Sequence, residues 1–341
     1  MRGVTDAEPV PRYSRRVMPR PSLTLLILGL LVALPVSGDE ARYLRVGTGP
    51  PGETHFPLGS LIASAISAPP GLPCTHAGGC GVPGLIAVAS ATAGSEDNIQ
   101  TLAEGRLDAA LTEADVPLFE GKRAENLRAI GNLALDQMQL VVLRDGPIRS
   151  LRDLKGKKVS LGEKGSGTHL HAHQLLVALG FKDNEVKEEN QRSALAADAM
   201  LAGKLDAFFV MDEAPVPTIT ELAKIKPIRL LAISGPAVEK MRQADHLLEP
   251  SRIAGGTYLG IEGDTPTIAV GLTFVVAASL PDDLVYGITR SLWQPETQQL
   301  LTDARRGGPP ITPAGAVTGL GVALHPGAQR FYDEAKPKAI R

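Results

Sequence analysis

The chain has 341 residues, 43% of them hydrophobic and 4% aromatic, with a formal net charge of −2. That length suffices for one large or two medium domains with ordinary aliphatic cores. The first 38 residues hold five arginines against two acids, which leaves the rest near −5, and so mild a negative balance excludes the basic footprint of a nucleic-acid-binding surface.

The chain opens with an export pattern. A basic stretch (Arg12, Arg15, Arg16, Arg20) precedes an apolar run from Leu23 to Val36, and small residues around Ser37 and Gly38 supply a cleavage site. The run is shorter than the roughly 20 residues that span a bilayer, so a signal peptide at 1–38 is expected, with a retained N-terminal anchor as the alternative. The apolar segment Ile268–Leu280 is also too short to span. The mature protein is therefore expected to be soluble and exported.

An apolar strand at Tyr43–Val46 runs into "GTGPPGETHFPLGSLIASAIS" (47–67), a glycine turn, a Thr-His pair and an amphipathic helix. The following loop carries Cys74 and Cys80 in "PCTHAGGCG", and an oxidising compartment would join them as a disulfide. A zinc site using Cys74, His76 and Cys80 would lack a fourth nearby ligand. Next comes "AEGRLDAALTEADV" (103–116), then a strand at 138–146. The pattern now repeats: a strand at Lys158–Leu161, the turn and helix "GEKGSGTHLHAHQLLVALG" (162–180), and "LAGKLDAFFVMDEA" (201–214). A long apolar strand at 267–281 carries the chain back. Two β–turn–α…α–β units imply two α/β lobes with parallel sheets and a cleft beyond the carboxyl ends of the strands. The expected organisation is lobe 1 from 39–137 plus 272–341, and lobe 2 from 138–271.

Several chemistries are excluded by spacing. Gly47–Gly52 matches G-x-G-x-x-G, but no acidic residue ends a second strand about 20 positions on. Gly162–Thr168 lacks the lysine a P-loop places before its hydroxyl residue. Of His169, His171 and His173, only the first and last share a helical face, and Leu170 stands where a zincin has glutamate; solvent-facing or supporting histidines are expected, with no metal site. No G-x-S-x-G occurs, the two cysteines read as structural and no nucleophile–base pair stands out, so no enzyme and no cofactor are expected. Ser166 and Thr168 crown a helix start, which suits a helix cap and an anionic group alike.

These residues resemble the TAXI-type solute-binding receptors of the tripartite ATP-independent periplasmic (TRAP) transporters. The resemblance runs from Tyr43 to Lys336 and rests on "RVGTG", "CGVPGLIAVASATAGS", "GRLDAALTEADV", "DLKGKKVSLGEKGSGTHLHAHQLLVALG", "GKLDAFFV", "GGTYLG" and "ALHPGAQRFYDE". It implies a bilobed type II periplasmic-binding-protein fold, monomeric, closing on a small organic acid or amino acid and delivering it to a TRAP-type membrane permease. The alternative is a sensor of the same fold that signals to a membrane partner. The resemblance assigns ligand contacts to the first turn (Thr48, Gly49, His55, Phe56), to Ser95 and Asn98 of the next helix, and to Glu113 and Asp115 after the strand. From the second unit it assigns Ser166, Gly167, Thr168 and His169, then Glu213 and Pro215. His55 and Phe56 replace a usual tyrosine pair, Glu113 and Ala114 replace Gln-Ser, and His169 stands where arginine is common. The added carboxylates at Glu53, Glu113 and Glu213 favour a less anionic ligand, an amino acid or other zwitterion, although Glu53 and Glu213 could equally face solvent.

Overall fold

The computed structural model describes residues 41–71, 80–305 and 311–335. The expected leader and Cys74 lie outside them. In chain order, β1 (Arg42–Gly47), α1 (His55–Ile66), the short strands β2 (Ser67–Ala68) and β3 (Val82–Pro83), β4 (Leu85–Ser90), α2 (Ser95–Ala103), β5 (Ala109–Glu113) and α3 (Val116–Phe119) lead into β6 (Leu127–Leu143). Then come β7 (Lys158–Ser160), α4 (Gly167–Ala178), β8 (Lys187–Glu189), α5 (Ser193–Leu201), β9 (Ala207–Asp212), α6 (Pro217–Ile225), β10 (Ile228–Leu230), α7 (Pro236–Ala244), β11 (Glu249–Ile253) and β12 (Thr265–Ala277). Helices α8 (Asp282–Leu292), α9 (Pro295–Ala304), α10 (Pro313–Ala316) and α11 (Pro326–Ala335) follow. None of the described helices is long and apolar enough to cross a membrane.

The inner strands β9 and β12 are apolar on both faces because helices cover both faces of the sheet there. In β9, "AFFVMD", Phe209 and Met211 pack with Leu175 of α4, while Phe208 and Val210 pack on the other side with Ile219 of α6. In β12, Leu272, Phe274 and Val276 join α1 and α8, while Val275 joins Ile99 and Leu102 of α2. This is the two-residue period of an extended chain.

The sheet order is β4-β1-β5-β12-β6-β9-β7-β8, with β10 on β6 and β11 on β12. Each repeated unit supplies parallel pairs, β4-β1-β5 in the first and β9-β7-β8 in the second. Between them β12 and β6 run antiparallel to each other and to their neighbours. The two expected sheets are thus one continuous ladder. At 17 and 13 residues, β6 and β12 extend roughly 55 and 43 Å, long enough to serve both lobes.

The apolar cores nevertheless part cleanly along those two strands. Ile130, Leu133 and Ala134 of β6 belong with Leu272, Phe274 and Val276 of β12, while Met138, Leu140 and Val142 belong with Ile268 and Val270. Near this crossover the β6–β12 register shifts twice, at Leu272/Thr273 and Phe274/Val275. There Thr273 Oγ1 donates to Asn132 Oδ1 at 2.5 Å, and Asn132 Nδ2 donates to the Thr318 carbonyl at 2.8 Å. The fold is a bilobed α/β fold in which two shared strands form the connection.

Candidate functional site

In open α/β sheets the binding crevice lies outside the carboxyl ends of the strands. Here β5 ends at Glu113 and β9 at Asp212, from opposite lobes, and both side chains are buried. Asp136 enters from β6, two residues beyond the last residue of one core and two before the first of the other. It is wholly buried. His55, the first residue of α1, donates from Nε2 to Asp136 Oδ2 at 2.9 Å and lies 3.5 Å from Asp212 Oδ1.

Asp212 also caps a helix that is not its own. The Thr54 backbone N–H at the start of α1 donates to Asp212 Oδ2 at 2.7 Å, and the Thr54 hydroxyl donates to Oδ1. A helix N-terminus has free N–H groups and partial positive charge, so a carboxylate from the facing lobe is held there favourably. Glu53 is buried beside this pair and is hydrogen-bonded by Ser193 of α5. The Ser95 hydroxyl donates to Glu113.

The electrostatics are those of a crowded acidic cleft. Burial, reinforced by Asp212, pushes the Glu53 carboxyl up to about 7, and burial with Asp136 pushes Glu113 up to about 8. Burial lifts Asp212 to about 6 although His55 partly offsets it. Burial opposes a charge on His55, yet Asp136 and Asp212 together hold its imidazolium well above the ordinary histidine value. Glu53, Asp136 and Asp212 therefore share the His55 imidazole, while Glu113 is held between His55 and His171.

Two further buried pairs cross between the lobes. Asp115, ahead of α3, accepts from His171 Nε2 of α4 at 2.7 Å, and His171 Nδ1 bonds the Gly167 carbonyl at 2.7 Å. Burial disfavours the His171 cation, but Asp115 raises it to about 9. Asp245 at the end of α7 shares Asp115, and burial plus that neighbour push its carboxyl up to about 7. The second pair joins Glu213, after β9, to Arg305, after α9, in a two-point fork: Nε to Oε2 at 2.8 Å and Nη2 to Oε1 at 2.5 Å. Both side chains are only 4% exposed. Backbone contacts add to the closure: Asp97 N–H donates to the Gly165 carbonyl at 2.9 Å and Thr218 Oγ1 to the Gly52 carbonyl at 2.8 Å. A Cβ on Gly167 would run into the Glu113 carboxylate, so only glycine lets α4 approach β5 this closely.

Of the residues expected at the ligand, the structure brings His55, Glu113, Asp115 and Glu213 into this buried seam. Ser95 and Gly167 support Glu113. Thr48, Asn98 and Thr168 are buried but spend their polar groups on the scaffold. Thr48 Oγ1 donates to the Ser90 carbonyl, Asn98 Nδ2 bridges the Thr48 and Leu111 carbonyls, and Thr168 Oγ1 accepts from Met211 N–H. Gly49 packs against His55. Phe56 is half-buried, and Pro215 follows a cis peptide bond. Ser166 caps α4, accepting from His169 N–H at 3.1 Å. His169 turns away to Glu188 on β8, 3.3 Å from its Nε2.

Glu53 and Glu213 are buried at 8% and 4% exposure, which settles their orientation against solvent. His171 is fully buried, whereas His173 is exposed. Sequence reasoning did not single out Asp136, Asp212, Asp245 or Arg305. The one signal was a lone acid in the long apolar stretch containing β6.

The profile of the NMT1-like family matches residues 46–335. Among solved structures, one provisionally described as an L-cystine ABC transporter of Listeria monocytogenes is 14% identical, covering 80% of this chain and 100% of its own, with a TM-score of 0.50. A Bordetella bronchiseptica RB50 protein is 13% identical over 87% of this chain and 99% of its own, TM-score 0.51. The alkanesulfonate-binding protein of Xanthomonas axonopodis pv. citri, bound to MOPS, is 18% identical over 87% and 85%, TM-score 0.45. At these identities the first two speak to the fold.

Proposed function

The chain belongs to the NMT1-like family, and from that membership and the acidic interlobe seam we infer that it is an exported solute receptor that closes its two lobes on one small molecule. The finer assignment is a TAXI-type receptor in the periplasm, delivering its solute to a TRAP-type membrane permease. Its leader is residues 1–38, its lobes divide at 137/138 and 271/272, and Cys74 pairs with Cys80. Hinge closure around a ligand is the motion such a fold offers, with β6 and β12 as the flexing strands.

The ligand is a small organic acid or amino acid, and one observation chooses between them. Glu53, Asp136 and Asp212 are buried together around the imidazole of His55, and Glu113 lies between His55 and His171, so carboxylates outnumber the cations among them. Uncompensated buried carboxylates are costly and attract a cationic group. An amino acid brings an ammonium, which a simple dicarboxylate lacks.

A thermal-shift panel tests this: amino acids, dicarboxylates, 2-oxo acids, sugars and phosphates, each at pH 5.5 and 7.5. A ligand at 100 times its Kd adds about 2.7 kcal/mol to stability. A shift with amino acids and none with dicarboxylates is expected. Shifts with sugars or phosphates alone would overturn the ligand class.

A further inference from the structure

We propose that His55, Asp136 and Asp212 form a binding site for a divalent first-row transition metal, with Zn²⁺ the best fit, set at the junction of the two lobes.

Three ligating atoms, His55 Nε2 and one carboxylate oxygen from each aspartate, lie within 4.8 Å of one another, and all three side chains are buried. The His55–Asp136 and His55–Asp212 separations are 2.9 and 3.5 Å. Zinc bonds nitrogen and carboxylate oxygen at about 2.0–2.2 Å, so neighbouring ligands in a tetrahedral site stand roughly 3.3–3.6 Å apart. The two separations at His55 are within about half an ångström of that spacing, and the two aspartate oxygens lie within 4.8 Å of each other, so a modest contraction would convert the hydrogen-bonded cluster into a coordination sphere.

The second observation is independent of that spacing. Asp136 is fully buried and its Oδ1 has no hydrogen-bond partner among the described residues, while its Oδ2 engages His55. A buried carboxylate oxygen left unpaired is costly, and a cation is one remedy. The donor set decides which. An imidazole with two carboxylates suits zinc and its neighbours in the first row; magnesium and calcium favour all-oxygen surroundings.

Three protein donors leave one tetrahedral position open. On the receptor reading, which this clause alone requires, that position would take a carboxylate oxygen of the solute. The metal would then reconcile an acidic cleft with an acid-bearing ligand.

The test uses purified protein stripped with EDTA and titrated with ZnCl₂ alone, then with MgCl₂ and CaCl₂. Calorimetry should find one zinc per chain with micromolar or tighter affinity, and no comparable binding of the other two ions. Asp136→Asn and His55→Gln should each weaken zinc binding at least 100-fold, while His173→Gln, an exposed histidine, should leave it unchanged. Circular dichroism in EDTA checks that the variants fold. Absence of zinc uptake by the parent protein, or uptake that survives both variants, would overturn the site. A solute response in EDTA without zinc uptake would refute the metal and keep the receptor; zinc uptake with no response to any solute would do the reverse.

Discussion

Arg305→Met severs a buried two-point ion pair that ties the helices near the C-terminus to the loop after β9. Removing one partner of such a pair strands the other, at about 3–5 kcal/mol, whereas replacing both is often close to neutral. In an opened molecule Glu213 meets water, so the cost falls on the closed form alone. Since 1.4 kcal/mol is a factor of ten, the closed-to-open ratio should fall roughly 100- to 4,000-fold, and solute affinity with it. Calorimetry on the identified solute reads the affinity, and small-angle scattering reads the shift toward the extended form. The double variant Glu213→Gln with Arg305→Met should recover most of the loss, because no buried charge is left unpaired. Unchanged affinity and radius of gyration in Arg305→Met would refute this account. So would a double variant as impaired as the sum of the singles.

The His171–Asp115–Asp245 group, faced also by Glu113 and Glu96, predicts alkaline weakening. His171 is raised to about 9 and Asp245 to about 7, so each binds its proton more tightly folded than unfolded. The His171 contribution is complete below its unfolded value near 6.5 and is lost as pH rises through 9; that of Asp245 is complete below about 4 and lost through 7. Melting temperature should therefore fall between pH 7 and 9, and His171→Gln should flatten that fall; a parallel fall in the variant would exclude the group as its source. Gly167→Ala forces a methyl toward the Glu113 carboxylate and should cost about 1–3 kcal/mol, read as weaker solute binding; an unchanged Kd would show that the lobes close differently. Asn98→Ala unpairs the Thr48 and Leu111 carbonyls and should destabilise by about 1–3 kcal/mol per stranded group in a urea melt, and no measurable loss would show that water replaces the amide.

Glycine turns, apolar runs and their repetition made the two α/β units and their converging acidic ends readable in sequence, because local backbone preference and two- or 3.6-residue periodicity are written in neighbouring residues. What the repeat concealed was helix phase. Thr54 precedes α1 and His55 is its first residue, but Ser166 caps α4, so Thr168 and His169 enter two residues later. Two residues are about 200° around a helix, enough to send His55 into the seam and His169 out to Glu188. His171, two residues further along α4, comes back to the inside. Asp136 and Arg305 were hidden for another reason. Their surroundings come from β12 and from the loop after β9, far away in the chain, and no local pattern encodes such neighbours.

The sheet order also governs when the protein can fold. Strand β12 lies between β5 and β6, yet it is synthesised more than 120 residues after either begins. Until it arrives, β1, β4 and β5 lack their link to β6, and α8 and α9 are not present to cover α1. A chain emerging from its N-terminus can complete neither the sheet nor this core early. On the proposed reading as an exported receptor, late insertion of a central strand is a built-in delay that holds back the folded state until nearly all of the chain has been made.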